Sequence, residues 1–104
     1  MSGVFGYCHD GRSDGSALAV VDRMAHRMRH HPYFVVRTRA VDPMVALGHL
    51  GIGIFNAAAQ PIQSRDGAFW LCLAGEFYHQ EERRHALVRA GRLDPEADDS
   101  ALAL

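Results

Sequence analysis

The sequence has no apolar run approaching the roughly 20 residues that a membrane-spanning helix requires. A membrane partner is therefore not expected. Its start, Met1 to Cys8, lacks the basic residues and long apolar stretch of a secretory leader, so the cytoplasm is the expected compartment. Neither sign of charge is in surplus: eleven basic residues against twelve acidic ones give a formal net charge of -1. Nucleic acid is accordingly not an expected partner, because nothing resembles a basic footprint. The densest basic stretch, Arg23 to Arg39, also holds apolar residues at helical spacing. Cysteine is scarce. Cys8 and Cys72 are too few for a disulfide framework. Each sits inside an apolar run, Val4 to Cys8 and Phe69 to Leu73, so both are expected as buried free thiols. Internal repeats and low-complexity segments are absent.

What is there suits one small globular domain: 104 residues, 48% hydrophobic and 22% charged. A chain this short leaves little margin of stability. Val4 to Cys8 reads as a first strand, followed by a polar, glycine-containing loop from His9 to Gly15. Ser13, Asp14 or Ser16 is placed to cap the next helix. Leu18, Val21, Ala25 and Met28 fall on one helical face, widened by Met24, and Pro32 is expected to end that helix. Tyr33 to Arg37 reads as a strand, Val41-Asp42-Pro43 as a turn, and Met44 to Gly48 as a strand. Leu50, Ile52 and Ile54 alternate with Gly51 and Gly53, a one-faced strand pattern. Asn56 to Pro61 is a loop. Phe69 to Ala74 is apolar throughout, as in a strand covered on both faces, and Gly75 stops it. Gln80 to Ala90 reads as a helix with Gly91 as its stop, and Asp98 or Asp99 starts a last helical turn.

Short strands separated by helices predict a mixed α/β or α+β domain. The final residues, Ala101 to Leu104, are apolar and finish abruptly, so the chain reads as truncated. Seven histidines raise the question of metal. His26 and His30 are at i, i+4, a spacing that can place two ligands on one helix face, with His31 adjacent and Asp22 one turn before, but no Cys or carboxylate completes a recognisable set. Gly51 and Gly53 make no phosphate loop, since no helix start follows them. Arg83-Arg84 beside Glu81-Glu82 reads as a solvated, mixed-charge helix face.

Four segments, in order, resemble one family. Met1-Ser2-Gly3-Val4-Phe5-Gly6 is similar to an opening Met-Cys-Gly-Ile-X-Gly. Leu47 to Ile54, followed by Gln60-Pro61, is similar to Leu-Gly-His-X-Arg-Leu-Ser-Ile and a later Gln-Pro. Ala74-Gly75-Glu76-Phe77-Tyr78-His79 is similar to Asn-Gly-Glu-Ile-Tyr-Asn, and Ala97-Asp98-Asp99 falls where Ser-Asp-Thr or Ser-Asp-Cys precedes a helix. These are the segments of class II (N-terminal nucleophile) glutamine amidotransferase domains, of the kind that opens asparagine synthetase. The resemblance covers residues 1–104. It implies an α+β fold of the Ntn-hydrolase type, a four-layer αββα sandwich, with about its first half present.

The resemblance also implies a chemistry, and this sequence departs from it. In the family an N-terminal cysteine attacks the glutamine side-chain amide, with its own α-amino group as base. An α-amino pKa of about 7.7–8.0 suits that role. Ser2 stands at that position, and a hydroxyl is a far weaker nucleophile unless strongly activated. Gly51 replaces the arginine that grips the glutamine α-carboxylate, a task for a two-pronged guanidinium. Ala74 replaces the asparagine that donates to the oxyanion hole, a loss that typically costs about 100- to 1,000-fold in rate. Gly75 keeps its backbone N–H for the same hole, and Glu76 and Asp98 match the positions that bind the glutamine α-amino group. His49 belongs to the Gly-His segment, with a structural hydrogen-bonding role expected.

With nucleophile, clamp and donor all changed, the expectation is a degenerate, non-catalytic glutaminase-like domain with a structural or docking role. It would serve an ATP-dependent, amide-bond-forming ligase, and the resemblance extends to β-lactam synthetase, carbapenam synthetase and lasso-peptide cyclases. The expected partner is a synthetase domain in cis or in trans, with self-association as a further expectation. No cofactor is expected in this chain, which has no pyrophosphate-binding Ser-Gly-Gly-X-Asp-Ser motif. ATP and Mg would belong to a downstream synthetase domain. Two alternatives stand beside this reading: a serine-type N-terminal nucleophile amidohydrolase acting on a small amide, and a lasso-peptide cyclase N-terminal fragment.

Overall fold

The computed structural model of the chain describes residues 2–12, 15–54 and 56–104. The fold is a small mixed α+β arrangement with two antiparallel sheets. Strand β1 (Gly3–Cys8) leads to helix α1 (Ala17–Met28), then strands β2 (Val35–Asp42) and β3 (Val45–Gly51). These strands form one sheet in the order β1-β3-β2, antiparallel throughout. Strands β4 (Ile62–Gln63) and β5 (Trp70–Leu71) form a short separate hairpin, followed by helices α2 (Glu81–Arg89) and α3 (Asp99–Ala103).

Helix α1 forms where its periodicity says it should. Ser16 caps it, its hydroxyl accepting from the Ala19 N–H at 3.1 Å. This satisfies one of the unpaired donors of the first turn, worth about 1 kcal/mol. The other two candidate caps, Ser13 and Asp14, lie outside the described residues. The helix stops at Met28, four residues before Pro32, so the proline is not what ends it. Ala17 and Val21 are fully buried against Ala46 of β3, with Phe5, Tyr7, Leu18 and Met24 packed around them. The strand period of two therefore sends Phe5 and Tyr7 of β1 toward the helix and Val4 and Cys8 away from it.

The opposite face of the sheet carries His49 on β3 and Arg37 and Arg39 on β2. Arg39 lies 5.0 Å over the Trp70 ring of β5, a cation–π contact that joins the hairpin to this face.

Several sequence expectations need correction. Val41 and Asp42 are strand rather than turn, because the ladder to β3 continues past a bulge between Ala40 and Asp42. The alternation through Ile54 does not extend β3: the strand ends at Gly51, and Gly53 takes φ +74, turning the chain out of the sheet. Ile52 and Ile54 are left exposed. The apolar run Phe69 to Ala74 is not covered on both faces. Only Trp70–Leu71 is strand, Phe69 is 66% exposed, and Cys72 is half-buried. Cys8 points away from α1 and is exposed, not buried. Both thiols are free, as expected. Helix α2 has no fully buried residue, but Arg84 is largely shielded in its bond to Asp99 rather than solvated, and Gly91 follows the helix at φ +68.

Candidate functional site

Antiparallel pairing of β1 with β3 sets Gly3 opposite Leu50, so Ser2 reaches the end of the sheet where β3 finishes at Gly51. Beyond that end, two side chains hold a distant segment in place. Gln60, almost fully buried, accepts from the Leu73 N–H at 2.6 Å. Asn56 donates to the Gly75 carbonyl at 2.6 Å and accepts from the Asp99 N–H at 2.8 Å. Asn56 sits at φ 48, a left-handed conformation that asparagine tolerates better than most residues. The strand end and the tethered segment enclose a pocket of about 160 Å³, lined by Ser2, His49, Gly51, Ile52, Gly53, Asn56, Leu73, Gly75 and Glu76.

Four of the six residues singled out from the sequence thus meet in one pocket: Ser2, Gly51, Gly75 and Glu76. Ala74 is exposed and does not line it. Asp98 lies outside it and works as a fastener, accepting from the Ala58 N–H at 3.0 Å and capping α3 through the Ser100 N–H at 3.1 Å. Met1, whose removal would free the Ser2 amine, lies outside the described residues.

The pocket is electrostatically sparse. Among the described residues its lining contains one carboxylate, Glu76, and no lysine or arginine. The Tyr78 hydroxyl donates to Glu76 at 3.2 Å, and the bond to this carboxylate raises the phenol pKa. His49 is the other titratable lining group. Burial pushes its pKa below the ordinary 6.5, with help from Arg37, against the opposing pull of the Leu73 backbone and the Asp98 charge. The imidazole is therefore neutral at pH 7. The Cys72 thiol is pushed up by burial to about 11, which keeps it protonated and a poor nucleophile. A Cβ at Gly51 would lie 3.1 Å from the His49 ring, so that ring occupies space beside the missing side chain. A Cβ at Gly75 would meet nothing within 4 Å, although φ +134 there strongly favours glycine.

Sequence reasoning missed Asn56 and gave His49 only a structural part. Asn56 gave no signal because its partners are 19 and 43 residues away. Of the histidines considered for metal, His26 and His30 are exposed and do not share a helix face, because α1 ends at Met28, and His31 stacks on Tyr33 at 5.0 Å. Among the described residues, no group of three or more His, Cys, Asp or Glu is placed to hold a metal ion. Among them too, no helix is long and apolar enough to cross a membrane.

No protein-family model, curated protein or solved structure matches the chain.

Proposed function

We propose that the chain is a degenerate, non-catalytic module of the class II glutamine amidotransferase type, a partial Ntn-hydrolase-like αββα sandwich serving an ATP-dependent amide-forming ligase. The observation that carries this reading is the convergence of Ser2, Gly51, Gly75 and Glu76, drawn from three distant segments, on one small pocket. Those are the places where the family's nucleophile, carboxylate clamp, oxyanion backbone and amino-group ligand would stand. The helix α1 on one face of the sheet and the Trp70 hairpin on the other are compatible with an αββα order.

The same pocket argues against present glutamine hydrolysis. A glutamine α-carboxylate needs a cationic partner, and among the described residues the lining offers no arginine or lysine side chain. Ser2 has a hydroxyl where a thiolate would be needed, and Ala74 has neither a side-chain donor nor a place in the lining. A docking role for the module needs none of these groups.

Incubation of the intact protein with glutamine, followed by measurement of glutamate release, tests this. The expected result is a rate indistinguishable from the protein-free control. Robust glutamate release would overturn the proposal.

A second reading, a serine-type N-terminal nucleophile amidohydrolase, rests on Ser2 sharing the pocket with the neutral imidazole of His49. Mass spectrometry of the N-terminus decides it, because retention of Met1 leaves Ser2 without a free amine.

A further inference from the structure

The two edges of the three-stranded sheet are built differently. Among the described residues, β1 makes backbone ladder bonds to β3 alone, so its outer row of N–H and C=O groups has no ladder partner. Unpaired edges invite pairing with another strand, and folded proteins blunt them with charge, proline or bulges. The β2 edge carries all but one of these devices: Arg37, Arg39 and Asp42 along the strand, and a bulge between Ala40 and Asp42. The β1 edge, Gly3-Val4-Phe5-Gly6-Tyr7-Cys8, carries none of them over six residues.

We propose that β1 pairs with β1 of a second copy of this chain, antiparallel about a twofold axis, joining two three-stranded sheets into one of six strands. A twofold strand pair must be compatible with itself. The uncharged β1 meets that condition, whereas β2 would set its arginines near their own copies. Centred on Gly6, the pairing puts Val4 opposite Cys8 of the second copy, both on the face away from α1 and both exposed. Surface area supplies the second argument. The chain exposes 7279 Å². A compact monomer of this mass exposes roughly 5,800 Å². The surplus exceeds the roughly 800 Å² per partner that a standard interface buries.

Sedimentation of the full chain across a range of concentrations, with reductant present to exclude a Cys8 disulfide, tests the pairing. The expected result is a concentration-dependent dimer with amide exchange slowed at Gly3–Cys8. The double variant V4K/C8K sets lysine opposite lysine and is expected to weaken dimerisation about tenfold or more. A40K on the other edge is expected to leave it unchanged, and circular dichroism of each variant establishes that the fold is intact. Should V4K/C8K fail to fold, the exchange pattern of the native chain decides alone. A monomer at every concentration, a dimer indifferent to V4K/C8K, or protection confined to other segments would overturn the proposal.

Discussion

A single methyl group at position 48 would fall 2.3 Å from the Phe5 ring, which is why β3 carries glycine at its centre. Phe5 lies directly opposite Gly48 and fills the space that a side chain there would take. The next residue, His49, faces the other way and enters the pocket. One step along the strand thus separates a packing requirement from a chemical one. The His49 pKa has a consequence for stability. Burial lowers it from 6.5 in the folded chain, so on acidification the unfolded chain takes up the proton first. Stability that is complete above pH 6.5 is therefore lost as pH falls through the depressed folded value. Melting temperatures of the native chain and of His49→Gln at pH 7.5 and 5.5 check this. The drop on acidification should be smaller in the variant, and an equal drop would show that His49 does not carry the effect.

Among the elements, α2 and α3 are tied to the site by one carboxylate. Arg84 of α2 donates to Asp99 of α3 at 3.0 Å, with both side chains largely shielded. The other Asp99 oxygen accepts from the Phe77 N–H at 2.8 Å, just beyond the pocket's Glu76. Its backbone N–H reaches Asn56. Asp99→Ala takes the carboxylate from a half-buried guanidinium, which keeps its bond to the Ala97 carbonyl, and leaves the Phe77 N–H without its acceptor. A loss of about 1–3 kcal/mol is expected, measurable by urea unfolding. Arg84→Met with Asp99→Leu should cost less than the sum of the two single changes, since neither partner is then stranded. The sequence announced α2 and α3 through Gly91 and Asp98, but not the bond that joins them, because pairing across 15 residues leaves no local pattern. Helix α1 was legible for the opposite reason: its stripe and its Ser16 cap are both local. The end of β3 was misread because the apolar alternation continues through Ile54 while the backbone turns at Gly53, and φ is not written in residue type. The pocket was legible in four residues only through resemblance. Asn56, which holds it together, belonged to no motif.

At the scale of the whole molecule, the chain is a slab measuring 47 × 33 × 16 Å. Its radius of gyration is 15.2 Å, against about 12.9 Å for a compact domain of this length. Among the described residues, only one face of the three-stranded sheet has a helix packed across it, and the hairpin on the other face pairs just two residues per strand. Large apolar side chains consequently remain in water, among them Ile54, Phe69 and Tyr78. Folding buries roughly 56% of the area the extended chain exposes, less than the ~60% of a 60-residue domain. The denaturant slope of unfolding follows the area exposed on unfolding. At concentrations low enough to keep the chain monomeric, the urea m-value should therefore fall about a seventh below that of a compact protein of 104 residues. At concentrations where β1 pairs with a second copy, the slope should rise toward the compact value, because area buried between chains is exposed on unfolding too. Urea titrations at two protein concentrations measure both. A compact slope at the lower concentration would mean that the isolated chain closes up in solution and hides the apolar surface it exposes here.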